Sequence, residues 1–324
     1  MPDNIYIGID VGSVSTKFAV LNDKDELVTS LYLRTEGQPI VSIQRGLKEL
    51  STAVSSDMRI AGVATTGSAR YLAGVLVNAD LVKNEISCQA AAALHFIPDA
   101  ATVIEIGGQD SKIIIIRDGA VADMGMNTVC AAGTGSFLDQ QAQRMNMQIE
   151  DFGAEALKST RPVQIAGRCA VFAETDMIHK QQMGHRRPDI IKGLCRALAR
   201  NYLSNIATGK EIRTPVVFQG GVALNRGMIT AIEEALDMSV VVPPYPGITG
   251  AIGAALVVHE EFKSRDITTS FNGFDIADAA LSASSFECSR CDSLCEISQV
   301  LRDDKVIARW GGQCDIWEEE DRNI

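Results

Sequence analysis

Three glycine-bearing motifs place oxygen and nitrogen groups where phosphate chemistry needs them. In Asp10-Val11-Gly12-Ser13-Val14-Ser15-Thr16-Lys17, a hairpin through Gly12 can turn backbone N–H groups and the Ser13, Ser15 and Thr16 hydroxyls around phosphate oxygens. Asp10 offers a hard oxygen ligand for Mg²⁺, directly or through water, and Lys17 a compact positive charge. In Glu105-Ile106-Gly107-Gly108-Gln109-Asp110, Glu105 could share the magnesium shell and Gln109 could orient an attacking water. The third motif is Phe218-Gln219-Gly220-Gly221-Val222-Ala223-Leu224-Asn225. Its paired glycines let a flat base and ribose come close to the backbone.

Each motif alone reads equally well as turn chemistry. In order, at strand ends, they form a nucleotide set. Its expected binding residues are Gly12, Ser13, Ser15, Thr16, Lys17, Gly107, Gly108, Gln109, Gly220, Gly221 and Asn225, with Asp10, Glu105 and Gln109 as the catalytic candidates. No Walker A sequence occurs, so a P-loop enzyme is the wrong comparison.

The chain has eight cysteines in two groups. Cys130 and Cys169 each precede small or helix-forming residues, and a thiolate at a helix N-terminus is stabilised by the dipole and free N–H groups. Two cysteines cannot fill a four-thiolate site. They are either core residues or half of a set that a two-fold dimer completes. Cys288, Cys291, Cys295 and Cys314, spaced C-x2-C-x3-C and then 18 residues, could hold Zn²⁺ tetrahedrally or ligate a second iron–sulfur cluster. Cys88 and Cys195 lie in apolar helical patterns and read as core.

Positioning these groups requires alternating strands and helices. Short apolar runs predict strands at 5–10, 16–21, 27–31, 60–65, 102–106, 112–117, 120–126, 215–218 and 239–242. Helical spacing covers 41–54, 86–96, 226–236 and 247–258. Two rounds of three strands, helix and strand make a repeat of topology, with no repeat visible at the level of residues. Residues 263–272 read as a linker, and Met124, Met126, Met145 and Met147 as core fill. His179 and His185, beside Arg186 and Arg187, read as a solvated loop.

With 324 residues, 46% hydrophobic and 22% charged, the chain is ordinary globular material for about two domains. Its net charge of −11 argues against a general nucleic-acid binder. No apolar run reaches the ~18 residues of a membrane span. The start, Met1-Pro2-Asp3-Asn4, has no signal-like segment, and the expected location is the cytoplasm.

The ordered motifs resemble the actin/hexokinase/acetate-kinase ATPase fold over about residues 5–260. Two ribonuclease-H-like subdomains of that α/β fold would close over ATP·Mg. The expected boundaries are 1–98 with 247–263 for the first subdomain, 99–246 for the second, and 264–324 for a cysteine-rich extension. Longer strings are more specific. Cys130-Ala131-Ala132-Gly133-Thr134-Gly135-Ser136-Phe137-Leu138-Asp139 follows Ile106-Gly107-Gly108-Gln109-Asp110 and precedes Cys169-Ala170-Val171-Phe172-Ala173-Glu174. Together they resemble the activators of 2-hydroxyacyl-CoA dehydratases. Relatives of these are the ATPase subunits of benzoyl-CoA reductases and the reductases of double-cubane-cluster proteins.

That resemblance implies a homodimer with one bridging 4Fe–4S cluster held by Cys130 and Cys169, and nucleotide served by Asp10, Gly107, Gly108, Gln109, Gly220 and Gly221. It implies ATP-driven transfer of low-potential electrons from a donor such as ferredoxin or flavodoxin to an iron–sulfur dehydratase or reductase. Two other readings use the same fold. One is a small-molecule kinase, for which Glu105, Asp110 or Glu174 could be the base, and the other is a nucleotide-sensing module. Neither needs iron. The C-terminal cysteines depart from the short activators.

Overall fold

A computed structural model describes residues 3–55, 57–127, 133–167, 169–263, 268–302, 305–314 and 317. The chain forms two compact units, Met1–Cys88 with Gly250–Ile324, and Gln89–Thr249.

In the first unit, β1 (Asn4–Val11), β2 (Ser15–Asn22), β3 (Leu27–Arg34), β4 (Arg59–Thr66) and β5 (Leu81–Val82) form a sheet of order β3-β2-β1-β4-β5. β1 pairs antiparallel with β2 and parallel with β4. As expected of a central strand covered on both faces, β1 is apolar nearly throughout. Its Gly8 exists for close packing: a Cβ there would strike the Ala251 carbonyl of the helix that begins at Thr249. Helices α1 (Pro39–Ala53) and α2 (Arg70–Val77) complete the core, with Gly46 of α1 seated on the Phe18 ring.

The chain leaves this unit within α3 (Glu85–Phe96). In the second unit, β6 (Thr102–Ile106), β7 (Ser111–Arg117), β8 (Ala120–Asn127), β9 (Val216–Gln219) and β10 (Val240–Val241) have the order β10-β9-β6-β7-β8. This is the first sheet's topology again, with β6 antiparallel to β7 and parallel to β9. Helices α4 (Gly135–Arg144), α5 (Ile149–Ala156), α6 (Ala170–Gln182), α7 (Arg187–Asn205) and α8 (Arg226–Leu236) supply a core that includes Phe137, Phe152, Leu194 and Phe218. The chain returns to the first unit at the start of α9 (Thr249–Lys263).

Three sequence readings change. The C-terminal segment holds an unforeseen antiparallel sheet, β11 (Leu281–Glu287), β12 (Glu296–Arg302) and β13 (Lys305–Trp310). The residues ahead of it are anchored to the first unit. Gln44 Nε2 donates to the Ile276 and Ala279 carbonyls at 3.3 and 2.8 Å, Asp80 accepts from Thr269 and Ser270, and Ile276 and Val300 join that unit's core. Finally, Met124 and Met126 are exposed on β8, an edge strand, instead of filling core, whereas Met145 is buried. Among the described residues no helix is long and apolar enough to cross a membrane.

Candidate functional site

The first motif is the turn between β1 and β2, closed by Gly12 N–H donating to the Ser15 carbonyl at 3.0 Å. Register puts Asp10 opposite Lys17, and Lys17 Nζ meets Asp10 Oδ2 at 3.0 Å. The other carboxylate oxygen is backed by Gly67, just beyond β4, at φ +90°. A side chain at Gly67 would strike both Asp10 Oδ1 and the Val11 carbonyl. Ser13 is exposed, with its hydroxyl 3.5 Å from that of Ser68. Thr16 corrects an expectation. It is fully buried, and its hydroxyl is bonded to Thr35 at 3.0 Å and Ser42 at 2.7 Å. Strand alternation puts Thr16 on the face opposite Lys17, where its hydroxyl meets Thr35, which in turn donates to the Gly12 carbonyl at 2.9 Å.

The second motif repeats this geometry. Gly107 N–H donates to the Asp110 carbonyl at 3.0 Å, and Glu105 stands opposite Lys112. Lys112 Nζ lies 3.1 Å from Glu105 Oε2 and 2.8 Å from Asp110 Oδ2. Glu105 is backed by Gly220, just beyond β9, at φ +88°, where a Cβ would strike Glu105 Oε1 and the Ile106 carbonyl. The two hairpins therefore share a residue-level pattern, carboxylate-x-Gly-x4-Lys, at 10–17 and 105–112. Lys112 was missed by sequence reasoning, and this spacing, shared with Lys17, was the available signal. Gln109 is exposed at the tip.

The second turn also holds a helix. Gly135 N–H donates to the Gly107 carbonyl at 2.8 Å and Ser136 N–H to that of Gly108 at 2.9 Å. Two of the N–H groups that a helix leaves without intrahelical partners are thus satisfied by the glycine turn.

In the third motif Gly220 N–H donates to the Pro246 carbonyl at 2.8 Å. The space a side chain would take at Gly221 is open. Asn225 again differs from expectation: it caps α8, its Oδ1 accepting from Met228 N–H at 3.1 Å, and its Nδ2 is buried without a partner among the described residues.

Cys169 caps α6 in an extended conformation and is half-buried. Asp176 Oδ2 accepts Ala166 N–H at 2.8 Å, and Arg200 donates to the Ile165 carbonyl at 2.8 Å, so the segment leading to Cys169 is held at two points. Cys130 lies outside the described residues. The helix expected after it begins at Gly135 with Thr134 as its cap. Cys88 and Cys195 are buried, and burial pushes each thiol up to about 12.

Cys288 and Cys295 face each other across the β11–β12 connection, Cys288 N–H donating to the Cys295 carbonyl at 2.8 Å. Cys288 Sγ accepts Trp317 Nε1–H at 3.3 Å. Hydrogen bonds from the backbone N–H and hydroxyl of Ser293 hold the exposed Cys291 thiol below its usual range. Cys314 follows Gly311, whose backbone lies against the Glu296 carbonyl at the same end of the sheet. Among the described residues no three His, Cys, Asp or Glu side chains are gathered for a metal ion.

The geometry fits nucleotide chemistry, and the comparisons agree. Over 261 residues the chain is 36% identical to the (R)-2-hydroxyglutaryl-CoA dehydratase activating ATPase of Acidaminococcus fermentans, covering 80% of this chain and 98% of that one. It is 35% identical over 258 residues to the activator of lactoyl-CoA dehydratase of Anaerotignum propionicum, covering 78% and 97%. Among solved structures, the activator of the 2-hydroxyisocaproyl-CoA dehydratase from Clostridium difficile with bound ADPNP superposes with a TM-score of 0.74 at 30% identity, covering 82% of this chain and 99% of that one. The fold is that of the actin/hexokinase-like ATPases. Residues 7–258 match the BadF/BadG/BcrA/BcrD ATPase family, and the chain belongs to it.

Proposed function

We propose that this protein hydrolyses ATP to drive low-potential electrons into a partner iron–sulfur dehydratase or reductase. It would work in the cytoplasm as a homodimer, recharged by a donor such as ferredoxin or flavodoxin. The observation that carries this reading is the pair of hydrogen bonds from Gly135 and Ser136 to Gly107 and Gly108. Through them the helix that follows Cys130 is fastened to a glycine turn suited to phosphate.

In this reading Gly12, Ser13, Ser15 and Lys17, with Gly107, Gly108, Gln109, Gly220 and Gly221, serve the nucleotide. Asp10 holds Mg²⁺, directly or through water, with Glu105 near the same shell and Gln109 orienting the attacking water. Cys169 suits a shared 4Fe–4S cluster: it is free and half-buried, and it stands at the positive end of a helix dipole. Cys130 would complete the pair. A cluster bound there supplies a one-electron carrier. Cys288, Cys291, Cys295 and Cys314 are not gathered around an ion as they stand, so Zn²⁺ or a second cluster would be bound there only once the exposed Cys291 and Cys314 close on the other two.

The kinase reading needs a free carboxylate base. Glu105 and Asp110 are both paired with Lys112, and Glu174 with Arg144 at 2.7 Å. The test is metal and acid-labile sulfide content after anaerobic purification. About four irons per dimer, lost in Cys130→Ser and kept in Cys314→Ser, are expected. Iron that survives Cys130→Ser sinks the bridging site, and zinc or iron lost only in Cys314→Ser identifies the C-terminal ion.

A further inference from the structure

The chain passes from one unit to the other at two places, between Cys88 and Gln89 inside α3 and between Thr249 and Gly250 at the start of α9. On the second-unit side these crossings are joined by a buried polar ring. Gln89 Oε1 accepts two hydrogen bonds, from Thr249 Oγ1 at 2.8 Å and from Gln219 Nε2 at 2.7 Å. Gln219 Nε2 also donates to the Gln89 carbonyl at 3.1 Å. The Pro246 carbonyl accepts from Thr249 Oγ1 at 3.3 Å and from Gly220 N–H at 2.8 Å, and Gly220 is the residue after Gln219. Gln219, Thr249 and Gln89 are 0%, 1% and 6% exposed.

We propose that Gln219 is a positioning residue that ties the Gly220–Gly221 motif to both chain crossings through Gln89 and Thr249, so that nucleotide at the motif is sensed in α3 and α9. This rests on the reading that Gly220–Gly221 takes nucleotide.

Two observations favour a relay over plain packing. Gln219 stands directly before the residue that backs the Glu105 carboxylate, so the ring reaches the catalytic hairpin through Gly220 alone. In addition, Gln219 Oε1 is buried and has no donor among the described residues. The two acceptors on Gln89 fix the amide's orientation, so its oxygen must face the other way. A buried acceptor left idle is disfavoured. Gln219 keeps this orientation nonetheless, so its two bonds to Gln89 are what set its position.

The test uses the full chain, purified anaerobically, with amide hydrogen exchange read by mass spectrometry with and without ADPNP. ADPNP is expected to slow exchange in 85–96 and 249–263. In Gln219→Met it should still bind within about threefold of the parent affinity, while that slowing falls to less than half. Thr249→Val should do the same and Thr249→Ser should restore the response; this pair decides the matter if Gln219→Met does not fold. A full response in Gln219→Met and Thr249→Val overturns the relay. So does a tenfold loss of ADPNP affinity, which would put Gln219 in the nucleotide site instead. A parent chain that fails to bind ADPNP overturns the nucleotide reading itself, whereas binding with unchanged exchange at both crossings overturns the relay alone.

Discussion

Glu105 stands in its hairpin as Asp10 stands in its own: each faces a lysine seven residues on and is backed by a left-handed glycine at the end of the parallel neighbour strand. The ion pairs differ in burial. The Lys112 and Glu105 side chains are 2% and 6% exposed, those of Lys17 and Asp10 17% and 10%. Removing one partner of a buried pair strands the other charge. Lys112→Met should therefore cost about 3–5 kcal/mol in urea unfolding. Lys17→Met, leaving a carboxylate that water reaches more easily, should cost roughly half as much and show mainly in ATP hydrolysis. Equal losses would mean the two hairpins are not distinguished by burial.

Thiol reactivity should sort by hydrogen bonding and burial. Cys291 is exposed and its thiolate is stabilised by Ser293, whereas Cys88 and Cys195 are pushed up to about 12 by burial. In iodoacetamide labelling of the native, chelator-treated chain near pH 7, Cys291 should react before Cys88 and Cys195, its midpoint shifted down from that of an ordinary thiol. Peptide mass spectrometry should find Cys88 and Cys195 unmodified until the chain unfolds. Early labelling of either would contradict their placement in the core.

Acid should weaken the loop at 159–161. Asp189, in the first turn of α7, accepts the N–H of Arg161, the Ser159 hydroxyl and the N–H of Thr160, and these bonds hold its carboxyl below the usual range. A depressed carboxyl stabilises the fold above its unfolded value of about 3.9, and that stability is lost as pH falls through the folded value. Asp189→Asn should cost about 1–2 kcal/mol at pH 7. Thermal melts of parent and variant should converge as pH falls through the depressed folded value of Asp189. A gap that stays constant with pH would mean the carboxylate charge contributes nothing.

Removing residues 264–324 should uncover apolar surface. Phe271, Phe274, Ile276, Leu281, Val300 and Trp310 pack in the same core as Leu47, Leu72 and Leu76. The shortened chain should lose several degrees in Tm and aggregate more readily, as light scattering during a melt would show. Unchanged melting would make the segment an independent appendage.

The two main sheets were legible because their strands are short apolar runs between turn residues, and the glycine motifs fall where those strands end. Side-chain direction was harder. Thr16 looked like one more hydroxyl at a phosphate turn, yet the period of two had already turned it away from Lys17. Asn225 likewise carried a helix-cap signal, an Asx residue just ahead of the α8 pattern. The β11–β12–β13 sheet was hidden for a different reason. β11 reads Leu-Ser-Ala-Ser-Ser-Phe-Glu and is mostly exposed, with neither alternation nor an apolar run to mark it. Gly67 and Gly220 could not be paired from sequence, because their equivalence depends on which strand each follows.

The amide between Gly107 and Gly108 is one conjugated unit: its oxygen grips Gly135, while its nitrogen belongs to Gly108. The next amide does the same for Ser136, with its nitrogen on Gln109. Any anion that accepts either N–H draws electron density along the bond and strengthens the oxygen as an acceptor. Departure of the anion loosens the hold on the first turn of α4. The turn's hold on an anion and its hold on α4 are therefore coupled through the same two amides.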